Sequence, residues 1–263
     1  MTPPSPENPA FEPFAPYYDA CTAGYRAERW TGKLAALAEG CGVSGRRLLD
    51  VGCGTGKSFL PMLERGWEVV GCDLSPAMLE IAREKVGEEV RLEIADVREL
   101  PTFGEFDLVW ALNDTLNNLL SPSELQAALE GMGRNLAPGG AILFDLNTLM
   151  LHRQIHEPQT QSQEVEGVTM SWTGLATAEV EAGSTWESRF EIEGDPAATH
   201  VHRQHHFPEA EVLGAIEVAG LKPLGVWGDY EGAQDQPLDE ERHQKAIYVA
   251  GRRGPSPARD QLH

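Results

Sequence analysis

The stretch that constrains this chain most is LLDVGCGTGKSFL, residues 48–60, where Gly52, Gly54 and Gly56 follow one apolar run and precede another. Glycine reaches left-handed backbone angles without a Cβ clash, so three at alternate positions make a tight turn that a ligand can approach closely. A buried strand before the loop and a helix after it would bring free helix amides beside that ligand. Three kinds of loop compete. A phosphate-binding G-x-x-x-x-G-K-[ST] loop is matched at its end by Gly56-Lys57-Ser58, but its first glycine falls on Val51. A dinucleotide G-x-G-x-x-G loop needs glycine where Lys57 stands. An acidic-x-G-x-G-x-G loop is matched throughout, with Asp50 as the acid.

Around this loop, apolar runs and amphipathic stretches alternate. RLLDV (47–51), EVVGCD (68–73), VRLEIAD (90–96), FDLVWAL (106–112) and AILFDLN (141–147) read as five strands. A short helix is expected at 58–65. A second starts at Ser75-Pro76, where serine caps the amides and proline needs none, and runs to about Lys85. A third starts at the capping box Ser121-Pro122-Ser123-Glu124 and ends near Leu136, before Pro138-Gly139-Gly140. Such alternation predicts a parallel sheet with helices on both faces.

After Asn147 the rhythm breaks. Residues 151–163 are polar and irregular, and from about Glu164 to Phe207 the stretches VTMSWTG, LATAEVE, STWESRFEIE and THVHRQHHF predict an antiparallel meander of three or four strands. A helix from Pro208 to Ala219 and the strands LGVWGDY (224–230) and AIYVAG (246–251) then resume the first pattern.

Charge excludes several classes. With 41 acidic against 21 basic residues the formal net charge is −20. A chain so acidic repels phosphate backbones and anionic lipid, and its basic spots are only short pairs such as Arg46-Arg47. No nucleic-acid or membrane partner is expected. The apolar runs fall far short of the ~18 residues a span needs. The first residues lack the basic and apolar regions of a secretory signal. Cys21, Cys41, Cys53 and Cys72 form no C-x-x-C pair and read as free thiols, which points to the cytoplasm. The proline-rich residues 1–10 and the segment 253–263 read as loose tails.

Taken with its surroundings, DVGCGTG resembles motif I of the class I S-adenosylmethionine-dependent methyltransferases. Asp73 ends the second strand, Asp96-Val97 follows the third, and ALNDTLNNLL (111–120) and FDLNT (144–148) complete the resemblance. It implies an α/β, Rossmann-like, mostly parallel seven-stranded sheet with helices on both faces and an antiparallel β-insert. The implied organisation is a lid at 11–46, a cofactor-binding core at 47–150, the insert at 151–206 and a closing helix and strands at 207–252. The implied cofactor is S-adenosyl-L-methionine, leaving as S-adenosyl-L-homocysteine. The loop residues Asp50, Gly52, Cys53, Gly54 and Gly56 would line it. Asp73 would hold the ribose hydroxyls, Leu74 and Met78 would pad the adenine, and Asp96 and Val97 would meet its edge. Asn113 would face it after the fourth strand, and Tyr17 or Tyr18 would cover it from the lid.

The base-methylating branch of this family carries [ND]-P-P-[YF] after the fourth strand, where this chain reads Asn113-Asp114-Thr115-Leu116. The expected acceptor is therefore a small molecule, methylated at nitrogen rather than oxygen, by a monomer or homodimer. Asp114 and Tyr18 are the catalytic candidates. The insert resembles that of sugar-amine N,N-dimethyltransferases, and Trp172, Trp186, Arg189 and His206 are candidates to face the acceptor. Asp114 and Asp145-Leu146-Asn147 only partly imitate the metal-dependent catechol branch, so no metal is expected. His200, His202, His205 and His206 read as ordinary exposed strand positions. A nicotinamide-dependent oxidoreductase and a non-catalytic cofactor-binding module are the rival readings.

Overall fold

The apolar run ahead of the glycines forms β1 (Arg47–Val51), buried from Leu48 onward. β1 pairs in parallel with β2 (Glu68–Asp73) on one side and β4 (Phe106–Ala111) on the other. β3 (Arg91–Ile94) continues outward from β2, and β5 (Leu136–Asn147) from β4, again in parallel. A central parallel strand is covered on both faces, which is why RLLDV shows no polar alternation. The computed structural model describes residues 12–165, 167–230 and 233–252, so the expected loose segments 1–10 and 253–263 lie outside the described residues.

Beyond β5 the sheet turns antiparallel through β12 (Lys245–Arg252) and β10 (Leu221–Tyr230). The short β11 (Ala233–Asp235) folds back on β10 and makes an eighth strand, one more than expected. Helices α5 (Pro122–Arg134) and α7 (Glu209–Val218) bury Leu129, Met132, Val212 and Ile216 on one face. On the other face α2 (Ala27–Gly40), α3 (Leu60–Glu64) and α4 (Pro76–Val86) bury Leu34, Met62 and Leu79. Both expected caps form: Ser75 accepts from the Met78 amide and Ser121 from the Glu124 amide.

Two local readings are corrected. The fifth strand starts at Leu136 rather than 141, and Pro138-Gly139-Gly140 forms a bulge inside it, where Leu136 already pairs with Phe106 before the register shifts to Ala141 opposite Leu108. A Cβ at Gly140 would lie 2.7 Å from the Phe106 carbonyl oxygen, so glycine lets the two backbones meet there. The segment read as irregular instead holds α6 (Leu149–His156) and the polar β6 (Thr160–Val165).

With β7 (Val168–Gly174), β8 (Thr185–Ile192) and β9 (Asp195–His205), β6 makes a separate four-stranded antiparallel sheet. β6 escapes a periodicity search because its residues are exposed, and its hydroxyls pair across the strands (Thr160 with Thr173, Ser162 with Ser171). LATAEVE is not a strand. It crosses irregularly and buries Ala176 and Val180 against Leu149. Helix α1 (Ala15–Cys21), reached through Phe14, packs on this second sheet at Met170, Phe190 and Ile192.

Candidate functional site

In the glycine loop, Gly52, Gly54 and Gly56 all take positive φ (70°, 52° and 86°). Gly52 and Cys53 donate their amides to the Cys72 carbonyl, which closes the loop onto β2. The Gly54 amide donates to Asp73 Oδ2 at 2.7 Å, and Asp73 Oδ1 accepts the Ser75 amide at 2.9 Å. The carboxylate at the end of β2 is thereby aimed by two main-chain donors. Burial raises its pKa, and the Ser75 and Gly54 amides pull against that rise. Asp50 lies beneath the loop, fully buried, and accepts from Ser58 Oγ. Burial pushes its pKa up to about 7 despite the Ser58 bond.

The loop opens into a cavity of about 1210 Å³ at the carboxyl ends of the parallel strands. Sheets of this kind bind ligands where the strand order reverses, here between β1 and β4. Of the cofactor-binding and catalytic candidates, Gly52, Cys53, Gly54, Asp73, Leu74, Met78, Asp96, Val97, Asn113, Asp114 and Tyr18 line the cavity together. Three do not. Asp50 is tied to Ser58, and Gly56 serves loop packing, since a Cβ there would lie 2.8 Å from the Phe59 ring. Tyr17 turns its hydroxyl to Asp195 Oδ2 at 2.7 Å. Cys53 is buried, and burial holds its thiol pKa well above the usual value, so it is a packing residue rather than a nucleophile.

Past β4, Asn113 and Asp114 both take left-handed angles (φ 59° and 56°), uncommon for residues with a Cβ. Asp145, fully buried on β5, holds them there: its Oδ1 accepts the Asn113 amide at 2.7 Å and its Oδ2 the Asp114 amide at 3.2 Å. Lys245, from β12, places Nζ 3.0 Å from Asp114 Oδ1 and 3.0 Å from Asp145 Oδ2. Burial alone would lower the pKa of this ammonium, but the two carboxylates more than reverse that and hold it above the ordinary value. Gln204 Nε2 donates to the other Asp114 oxygen. Where the sequence partly imitated a metal site, an ammonium thus bridges the carboxylates.

The insert and α1 form the far wall. Trp172 lines the cavity as expected, but Trp186, Arg189 and His206 do not. Trp186 packs against the cluster of Leu149, Ala176 and Val180, Arg189 is exposed, and His206 meets Glu240. The histidines are not exposed strand positions. His202, His205 and His206 are buried where the insert joins the core. The Asn118 amide nitrogen donates to the Thr115 carbonyl, so its Oδ1, 2.6 Å from His202 Nε2, accepts the imidazole proton.

On its other side α1 is latched to the glycine loop. Thr55 donates to Asp19 Oδ1 at 2.7 Å, Lys85 pairs with Asp19 Oδ2, and Lys57 Nζ bonds the Asp19 and Thr22 carbonyls.

These partners (Lys57, Asn118, Gln204, Lys245) were not singled out from sequence. Lys245 carried the only signal, a lone cation opening the otherwise apolar strand KAIYVAG, but nothing in sequence tied it to residue 114.

A family model described as a methyltransferase domain matches residues 48–140. The putative methyltransferase YqeM of Bacillus subtilis is 27% identical over 242 residues, covering 90% of this chain and 96% of that protein. A cypemycin N-terminal methyltransferase of Streptomyces is 30% identical over 192 residues, covering 72% of this chain and 78% of that one. The chain belongs to the class I S-adenosylmethionine-dependent methyltransferases. Among solved structures, that of CalS10, an amino pentose methyltransferase from Micromonospora echinaspora with S-adenosylmethionine bound, is 28% identical. It covers 89% of this chain and 96% of its own, with a TM-score of 0.65. The nicotinamide alternative falls with this finding.

As a methyltransferase the chain uses S-adenosylmethionine, and the loop fits that group. A Cβ on Gly54 would meet nothing within 4 Å, so glycine leaves open space against the main chain, beside a carboxylate already oriented by two amides.

The buried histidines of this methyltransferase predict its acid response. Burial lowers the pKa of His152 and His156, and takes His202 from 6.5 to about 4. Such a group binds a proton more readily unfolded, so its stability is intact above about pH 6.5 and is lost as pH falls toward the folded value. His202 alone accounts for about 3 kcal/mol across that window. Asp50, its pKa raised to about 7, works in the opposite sense over the same range, so the check is a difference: the stability of wild type over His202→Gln should shrink as pH falls from 6.5 to 4. A difference independent of pH would contradict a neutral buried imidazole.

Proposed function

We propose that this methyltransferase methylates a nitrogen of a small molecule by in-line transfer. The observation that carries the reading is the single cavity running from Gly54 and Asp73 past Tyr18 and Asp114 to Trp172 on the insert. Its volume exceeds the ~300–1,000 Å³ usual for one small ligand, which suits a cofactor and an acceptor side by side. Two relatives bear names that refer to an N-terminus and an amino pentose, which supports nitrogen.

The bound cofactor supplies an electrophilic methyl on a sulfonium, and the protein's part is alignment and exclusion of water. Asp73 would accept the ribose hydroxyls, Leu74 and Met78 would flank the adenine, and Asp96 with Val97 would meet its edge. Burial would raise the Asp96 pKa, but the Arg98 guanidinium holds it below the usual range, so that carboxylate stays ionised. Burial, with Asp114 and Asp73 nearby, raises the Tyr18 pKa, so its hydroxyl keeps its proton and acts as a donor. Asp114 is the remaining candidate to orient the acceptor nitrogen or take its proton.

Incubation with labelled S-adenosylmethionine and a panel of amines and alcohols, read by mass spectrometry, tests the reading. Methylated amines are expected. Methylation of alcohols alone would overturn nitrogen, and cofactor binding without turnover on any acceptor would favour the non-catalytic module. In the same assay Asp114→Asn should keep cofactor affinity but lower transfer by about 10²-fold, the range for a lost acid–base group. Wild-type turnover across pH 6–9 would make Asp114 a turn residue.

A further inference from the structure

The cations facing the cavity constrain what the acceptor carries. Among the described residues they are Lys57, Arg98, Arg203 and Lys245, and each already has partners on the protein. Lys57 Nζ bonds the Asp19 carbonyl at 3.1 Å, the Thr22 carbonyl at 2.7 Å and the Thr22 hydroxyl at 2.6 Å. Arg98 forks onto Asp96 and reaches Glu124. Lys245 lies between Asp114 and Asp145. Arg203, the most exposed of the four, pairs with Glu187 at 2.6 Å.

A phosphate entering this space would meet three cations already paired with carboxylates and Lys57 with its ammonium taken up by carbonyl and hydroxyl oxygens, while Asp73 and Asp114 line the same cavity. Burying an anion without a matching cation is costly, and the protein's −20 charge opposes its approach. A basic nitrogen faces the opposite balance.

The wall supplied by the insert is of another kind. Met170, Trp172 and Phe190 line it, with the Trp172 and Phe190 ring centroids 4.1 Å apart and His200 stacked on Phe190 at 5.2 Å. Burial lowers the His200 pKa, so this surface is uncharged at neutral pH. It offers apolar area on the same cavity as Asp114.

We propose that the acceptor is an amphipathic amine without phosphate, its nitrogen at Asp114 and its apolar body along Met170, Trp172 and Phe190. This rests on the nitrogen-methylation reading above and narrows it to a substrate class.

Calorimetry on the protein loaded with S-adenosylhomocysteine tests it, using n-alkylamines from butyl to octyl, thymidine 5′-diphosphate and inorganic pyrophosphate as probes. Amine affinity should rise about fourfold per added methylene until the wall is covered, and both phosphates should bind more weakly than octylamine. Trp172→Ala should flatten that rise and leave S-adenosylhomocysteine affinity within twofold, while Trp172→Phe should preserve it. Thymidine diphosphate or pyrophosphate binding more tightly than octylamine, or affinity independent of tail length, would overturn the class. Transfer of labelled methyl to the tightest amine separates the two readings. Tail-dependent binding with methylation only of alcohols sinks the nitrogen reading and leaves the apolar wall. Methylation of amines without regard to tail length sinks the class alone.

Discussion

Asp73→Ala should weaken S-adenosylmethionine binding by roughly 10- to 150-fold, or about 1.5–3 kcal/mol, the range for hydrogen bonds to a charged group. The carboxylate ends β2 with each oxygen held by a main-chain amide, Gly54 on Oδ2 and Ser75 on Oδ1. A second lone pair on each oxygen remains for a ligand, and a cis-diol presents two donors at a suitable spacing. Alanine removes those acceptors and also releases the Gly54 amide, so the loop loses part of its preorganisation. The sheet should survive, because the packing of β2 depends on Val69 and Cys72 rather than on its terminal residue. Asp73→Asn, which keeps one oxygen, should fall between wild type and alanine. Calorimetry giving equal affinities for wild type and alanine would remove Asp73 from the cofactor site.

Lys245→Met should destabilise the fold by about 3 kcal/mol, the low end for breaking a buried ion pair. Asp145 is fully buried, and its carboxylate serves two amides and one ammonium. Methionine keeps the length and apolar stem of lysine but leaves that charge, and Asp114 beside it, without a cation. The left-handed pair Asn113-Asp114 then loses the electrostatic reason for its strained angles. For a chain of this size the melting temperature should fall by roughly 6–12 °C, and amides 113–118 should exchange faster. A variant melting within 2 °C of wild type would mean that water replaces the ammonium at no cost.

The frame was legible because it rests on local signals. Ser75 and Ser121 announced their helices, RLLDV its burial, and the three glycines a loop that turns into a cavity. Asp73 and Asp96, singled out through the resemblance, both face the cavity, one at the end of β2 and one just past β3. What stayed hidden depends on contacts distant in sequence. Nothing in residues 240–252 shows that Lys245 reaches Asp114, and nothing near Gln204 shows that it does the same. β6 was missed because an exposed edge strand of Thr, Ser and Gln has no apolar period to detect. The histidines were misread because strand alternation gives the face of a residue but not what packs on that face. His202 shares its parity with the buried Ala198 and Gln204, and Asn118 comes to meet it there; His206 lies just past β9 and meets Glu240.

Helix α1 is fastened on two sides, to the glycine loop through Asp19 and to the insert through Tyr17 and Asp195. Gln163 adds a further tie from β6 to the Cys21 carbonyl. One short element therefore ties two walls of the cavity together: a displacement of α1 from the glycine loop must also bend or break its bonds to the insert, so the two walls are not free to shift independently.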